Sequence, residues 1–261
     1  MGTHSPDQIS IRSRILDGWS IKRLIADGAD AWNSSQRKII LMWSIPFIVI
    51  LVAFLTALMG KEMYKLYTGE DRIAETLQII FYTTALVLCI FITCRIWKQR
   101  LTGIGILYII VCAGLFFLIG EELNWGQRIF GWETSESLKA INKQKETNLH
   151  NIYGVGTAFK WIQMVVGAYG SLLPMLVRGL KRFKPYQQKL SYIVPHVTLI
   201  PFFLPLFLWK IYRNFFDPPS KYYFGIAEFN EVMELNLSIG FTLFMLYQYR
   251  RLKKLPFSAY K

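Results

Sequence analysis

The residues most able to do chemistry here are six glutamates and a histidine, in three groups along the chain. The first group, Glu121 and Glu122, sits in Gly120-Glu121-Glu122-Leu123-Asn124-Trp125-Gly126-Gln127-Arg128, directly after an apolar run. Two adjacent carboxylates followed by aromatic, amide and basic residues suit a segment that re-enters or lines a membrane interface, where non-helical backbone persists only if protein or water satisfies it. A plain solvated helix end is the competing reading. The second group is Glu146-Thr147-Asn148-Leu149-His150-Asn151. If that stretch is helical, Glu146 and His150 share one face at i and i+4, the spacing of a shared metal or a carboxylate-oriented imidazole; an ordinary surface pair has the same spacing.

The third group is Glu228, Glu231 and Glu234, which recur at i, i+3 and i+6 and form one slanted stripe descending about 9 Å along a helix. An acid at mid-membrane costs about 2.5–3.5 kcal/mol even on a lenient scale, so the stripe calls for a protein interior, a wet cavity or a metal unless its helix starts later, near Leu235. Lys160 lies about 9 Å into an apolar run and is the expected partner of Glu231 or Glu234, with snorkelling to the interface as the alternative. Glu75 and Gln78 are further buried polar candidates. His196, close to Pro195, Pro201 and Pro205, is expected to be a hydrogen-bonded structural histidine. Carboxylate and imidazole ligands would suit a divalent cation such as Mn, Mg, Ca or Fe, with Glu122, Glu146 and His150 as possible ligands. Phosphate-loop, H-E-x-x-H, C-x-x-C and G-x-S-x-G patterns do not occur.

The elements that must position these residues follow from hydropathy. The 261-residue chain is 53% hydrophobic and 16% aromatic with positive mean hydropathy, more apolar than the roughly 45–50% of soluble domains. Runs of about 20 apolar residues, the length that crosses a bilayer core, occur at Ile39 to Met59, Ala74 to Ile96, Leu101 to Ile119, Gly154 to Val177, Leu190 to Tyr212 and Phe224 to Tyr249. The expected fold is therefore all-α, a polytopic membrane helix bundle of about six transmembrane helices. Residues 1–38 form an N-terminal segment, 39–249 the membrane domain with a polar outward loop at 120–153, and 250–261 a basic tail.

Charge then gives direction. The net charge of +13 comes from 30 Lys and Arg against 17 Asp and Glu, and the basic residues cluster beside apolar runs, which points to lipid headgroups and away from nucleic acid. In alternate loops they divide 19 to 10 in favour of the side holding both termini, so both ends are expected in the cytoplasm. Of the 17 acids, 13 fall on the opposite side. Ile11 to Trp32 repeats apolar residues at helical spacing between Arg12, Arg14, Lys22 and Arg23, as in an amphipathic interfacial helix, broken near Gly18 and weakened at Gly28; a partner-binding helix has the same pattern. Cys89, Cys94 and Cys112 lie inside apolar runs, where structural disulfides are not expected. The first 38 residues carry no signal-peptide pattern.

The stretch from Gly120 to Arg128 together with Glu146 to Asn151 resembles the signature of a family of uncharacterised bacterial multi-pass inner-membrane proteins. Gly69-Glu70-Asp71 with Glu75, and the acidic start of the last run, are similar too. The resemblance implies a bacterial plasma-membrane location and no particular activity.

From the residues, the leading expectation is a membrane-embedded enzyme acting on a lipid or lipid-linked substrate from the outer side. Glu121, Glu122, His150 and Glu231 would be its catalytic groups, and Trp125, Gln127, Arg128, Asn148, Lys160, Glu228 and Glu234 its binding groups. The rival readings are an ion-coupled transporter using intramembrane Glu and Lys, and a structural or assembly subunit with a protein partner or a second copy of itself.

Overall fold

The computed structural model describes residues 19–216 and 219–254. Among these residues all regular structure is helical, apart from one bridge pair between Asn142 and Ile152.

The first helix, α1 (Ile21–Trp32), is capped by Ser20, whose hydroxyl accepts from the Arg23 N–H at 3.3 Å. It is the second half of the expected amphipathic segment; the first half, with Ile11 and Ile15, lies outside the described residues. The helix runs unbroken through Gly28. A Cβ there would sit 2.5 Å from Thr198 Cγ2, so this glycine admits close approach to the bundle and does not mark a weak point. Trp32 is buried and its Nε1 donates to Thr198 Oγ1 at 3.0 Å.

Four further helices follow: α2 (Gln36–Leu58), α3 (Lys61–Thr68), α4 (Ile73–Lys98) and α5 (Thr102–Glu122). Three stretches, Gln36–Leu58, Lys61–Lys98 and Thr102–Glu122, are long and apolar enough to cross a membrane. Beyond α5 the polar segment holds two short helices, α6 (Gln127–Phe130) and α7 (Glu136–Ile141). The chain then returns through α8 (Val155–Gly179), the single turn α9 (Gln187–Leu190), α10 (Ile200–Phe215) and α11 (Tyr223–Lys254).

The fifth apolar run differs from expectation. A continuous helix from Leu190 does not form; α10 starts at Ile200 and the preceding backbone is irregular. Pro195 removes a donor and disfavours the helical region for the residue before it, whereas Pro201 falls in the first turn of α10, where no donor is needed. The freed carbonyls are satisfied from other helices. Gln248 Nε2 donates to Ser191 O at 2.6 Å, Tyr108 Oη to Tyr192 O at 2.6 Å, Tyr169 Oη to Ile193 O, and Trp43 Nε1 to Thr198 O at 2.8 Å. Irregular backbone inside a bundle needs such partners. His196 begins the short turn after Pro195, its Nδ1 accepting from the Thr198 N–H at 3.3 Å, so its role is structural.

The last helix is the axis of the molecule. It packs against α2, α3, α4 and α10, and Val232 to Gly240 are buried without a break. A helix covered on all sides carries no single apolar stripe; the glutamates that put the start of the last run in doubt lie within this helix, which begins at Tyr223 and not near Leu235. Outside this axis, α5 packs on α4, and α8 on α10.

The contact between α8 and α10 depends on small residues. A Cβ on Gly167 would lie 2.8 Å from the Phe207 backbone nitrogen, and one on Gly170 2.1 Å from Phe203 Cγ. Gly167→Ala is therefore expected to cost about 1–3 kcal/mol by overpacking. Thermal unfolding in detergent measures this, and an unchanged midpoint would mean that Gly167 does not set the helix separation.

Candidate functional site

The site grows from a reversal at the end of α5. Asn124, Trp125 and Gly126 have φ of 48°, 53° and 99°, three consecutive residues in the left-handed region. Glycine enters that region freely and asparagine more readily than most residues. The turn folds the indole of Trp125 back over Gly120, where a Cβ would meet the ring at 3.1 Å, and Trp125 Nε1 donates to Glu121 Oε1 at 2.7 Å. It also brings Arg128 back beneath α5. Its Nη1 donates to the Glu122 carbonyl and to Glu75 Oε1, both at 2.8 Å, and its Nε pairs with Asp71 Oδ1 at 2.5 Å.

Glu121 then fastens the second motif to the first. Its Oε2 accepts the backbone N–H groups of Leu149 and His150, each at 2.8 Å, and faces His150 Nδ1 at 3.1 Å. The residue is only 2% exposed. Asn148, buried beside it, donates to Asn124 Oδ1 at 2.7 Å and to Glu146 Oε2 at 2.9 Å, and accepts twice from Asn142. Gln127 Oε1 accepts from the Thr147 N–H at 3.0 Å, while its Nε2 donates to Thr134 Oγ1 at 3.0 Å. Thr134 is thus used by Gln127, and α7 begins after Ser135 and stops at Ile141, short of Lys145.

Two expectations change here. The stretch from Glu146 to His150 is not helical; Glu146 and His150 do not meet as an i, i+4 pair, and the carboxylate at His150 comes from Glu121. Of the residues expected to bind substrate, Trp125 bonds to Glu121, Gln127 to Thr134 and Thr147, Arg128 to Asp71, Glu75 and the Glu122 carbonyl, and Asn148 to Asn124, Asn142 and Glu146.

A carboxylate has only acceptors, so the His150 Nδ1 carries the proton towards Glu121 and Nε2 is left without a partner among the described residues. Burial disfavours the charged ring, but the Glu121 hydrogen bond and the charges of Glu234, Glu121 and Glu146 outweigh it and raise the His150 pKa above its usual value. Burial raises the Glu146 carboxyl too, against the hydrogen bond from Asn148. Both groups hold protons more tightly when folded, so the contribution of His150 to stability falls as pH rises above about 6.5, and that of Glu146 falls from about 4.5 upward. The unfolding midpoint is expected to drop as pH rises above about 6.5, and His150→Gln to flatten the drop there; equal slopes in both proteins would contradict this.

Deeper in the bundle the remaining acids face one another. Glu122 interacts electrostatically with Glu231, Glu234 and Glu75, and His150 with Glu234. Gln78, fully buried on α4, donates to Glu231 Oε2 at 3.0 Å. Glu234 Oε1 accepts from Gln163 Nε2 at 2.7 Å and from Asn230. Glu122 and Glu231 are half-buried. The Glu122 carboxylate has no hydrogen-bond partner among the described residues.

The charge partner differs from the one expected. Lys210, not Lys160, pairs with Glu234 at 3.6 Å, and it also donates to Asn230 Oδ1. Lys160 forms no ion pair among the described residues. Lys210 stands two residues from the end of its apolar run, yet it is 2% exposed. Its apolar neighbours on both sides, Leu208, Trp209, Ile211 and Tyr212, were the available signal. Glu228 leaves the stripe: its charge partner is Lys65, on the α3 side. Among the described residues no group of three or more His, Cys, Asp or Glu side chains has the arrangement of a metal site, so Glu122, Glu146 and His150 are not gathered as ligands.

The chain matches no family model, none of the curated proteins and none of the solved structures. What fold and site define is a class: an all-helical bundle, three of whose helical stretches are apolar enough to cross a membrane, with a polar centre at one end.

Proposed function

We propose that this chain is a membrane-embedded enzyme that uses a Glu121–His150 dyad for general acid–base chemistry on a lipid or lipid-linked substrate. The observation that carries the reading is the hydrogen bond from His150 Nδ1 to the buried Glu121 carboxylate, which orients the ring and leaves Nε2 uncommitted. An imidazole held in this way takes a proton at Nε2 and returns it at the same atom. Glu122 and Glu231 would orient the reacting polar group within the same space, and the motif turn would hold the dyad rigid.

The placement belongs to the same proposal. Six spans are supported by five long helices that coincide with apolar runs, α2, α4, α5, α8 and α11, and by α10, which covers the second half of the fifth run; α8, α10 and α11 would cross as part of the bundle despite their polar residues. Basic residues concentrated beside both termini support cytoplasmic ends in a bacterial inner membrane, and the exposed Ile21 supports an interfacial α1. Membership of the uncharacterised bacterial family rests on the turn-forming Gly120-to-Arg128 motif and its partner at Glu146 to Asn151.

An ion-coupled carrier has one observation in its favour, the polar chain from Glu231 and Glu234 to Lys210. Against it stand the fully buried apolar residues Phe202, Phe203, Leu206 and Leu235, although Asn236, next to Leu235, is a buried amide with no partner among the described residues; the enzyme reading rests on the dyad.

His150→Gln tests the reading. Such a protein should fold and insert normally but fail to restore the membrane-lipid profile of a deletion strain, read by mass spectrometry. Full restoration by His150→Gln would remove the dyad from the chemistry, and proton-driven solute uptake by the wild-type chain in liposomes would favour the carrier.

A further inference from the structure

On another flank of α11, away from the acids, a cavity of about 570 Å³ opens between α2, α3, α10 and α11. That size falls within the ~300–1,000 Å³ of small-ligand sites. Its walls are apolar, with Ala53, Phe54 and Ala57 from α2 facing Ile226 and Phe229 from α11. Phe54 is 57% exposed, so the cavity opens on the outer face of the bundle and not into its interior.

Two features distinguish this cavity from the ordinary apolar surface of a bundle. First, one end is basic. Lys61 lines the cavity with its Nζ 4.8 Å from the centre of the Phe224 ring, and Lys65, one turn on, lies 5.4 Å from the same ring. The acids nearby are Glu62 on α3, and Glu228, which interacts with Lys65. Second, Trp209 lines the cavity, so its indole borders whatever fills the trough.

We infer that this cavity is a binding site for an anionic glycerophospholipid of the surrounding bilayer, in the leaflet nearest the 123–154 loop. An acyl chain fills the apolar trough against the Trp209 indole, and the phosphate lies beside Lys61 and Lys65. The inference does not depend on the Glu121–His150 chemistry, because none of those residues lines the cavity.

Quenching of Trp209 by lipid tests the site. The full chain is placed in phosphatidylcholine vesicles containing brominated phosphatidylglycerol or, separately, brominated phosphatidylcholine, and the Trp209 signal is taken as the difference between wild type and Trp209→Phe. The other tryptophans report insertion. Phosphatidylglycerol should quench Trp209 at lower content than phosphatidylcholine, and Lys61→Gln and Lys65→Gln should each reduce that preference roughly fivefold, the worth of one basic residue at an anionic bilayer surface. Ala57→Phe, which fills the trough, should abolish it. Equal quenching by both lipids, unaffected by the lysine changes, would mean ordinary bilayer contact and overturn the site. Failure to quench Trp209 while the other tryptophans respond would overturn it as well.

Discussion

Glu121→Ala is expected to lower stability by about 3–5 kcal/mol and to release the loop that carries His150. The magnitude follows from what the carboxylate holds: two backbone N–H groups, an indole N–H and an imidazole, all gathered on a side chain that is 2% exposed. Hydrogen bonds to a charged group are each worth about 1.5–3 kcal/mol, and a buried donor left without a partner bears its desolvation cost in addition. Glu121→Gln should recover only part of the loss, since its amide nitrogen cannot accept from Leu149 or His150. Amide hydrogen exchange at Leu149 and His150 measures the release directly. Native protection of both amides in Glu121→Ala would show that the loop is held by other means, with the Asn148 and Gln127 contacts the first to examine.

Lys210→Met should be nearly as damaging, at about 3–5 kcal/mol, because it leaves Glu234 facing Glu122 and Glu231 with its cation gone. The loss comes from the charge left behind rather than from the pair's own strength. Lys210→Met combined with Glu234→Gln should therefore be more stable than Lys210→Met alone. A double variant as unstable as the single one would mean that Lys210 acts through packing, and the ion pair would lose its place in this account. Lys160→Met provides the control and should change little, since Lys160 has no ion pair among the described residues.

How much of this was legible in sequence varies with the physics involved. The long helices could be placed to within a few residues because apolar runs of bilayer length are a strong signal, as with Ala74 to Ile96 against α4 at Ile73–Lys98. The fifth run failed because hydropathy reports solvent preference and not backbone conformation. Val194, Val197 and Leu199 are as buried as helical residues would be, but the carbonyls of their neighbours Ser191, Tyr192, Ile193 and Thr198 are satisfied by Gln248, Tyr108, Tyr169 and Trp43, residues scattered over more than 200 positions of sequence.

The candidate site shows the same division. Sequence singled out Glu121, Glu122, His150 and Glu231, because acids and a histidine beside apolar runs are costly and stand out. It then paired Glu146 with His150 by spacing along the chain and Lys160 with the stripe by depth in the membrane. The structure pairs Glu121 with His150 across 29 positions and Lys210 with Glu234 across 24. Gln78 and Gln163 stand where the glutamates need donors, and amides carry no charge by which a sequence could match them to a partner.

Residue type and period therefore determined the kind of molecule: an all-helical chain with apolar helices of membrane length and a small set of polar residues too expensive to be idle. Only the tertiary structure decided which of those residues serve as scaffold and which stay free. That choice depends on a three-residue left-handed turn and on helix neighbours far apart in sequence. Hydrogen bonds act over about 3 Å in space, and distance along the chain says little about that separation once the helices have packed.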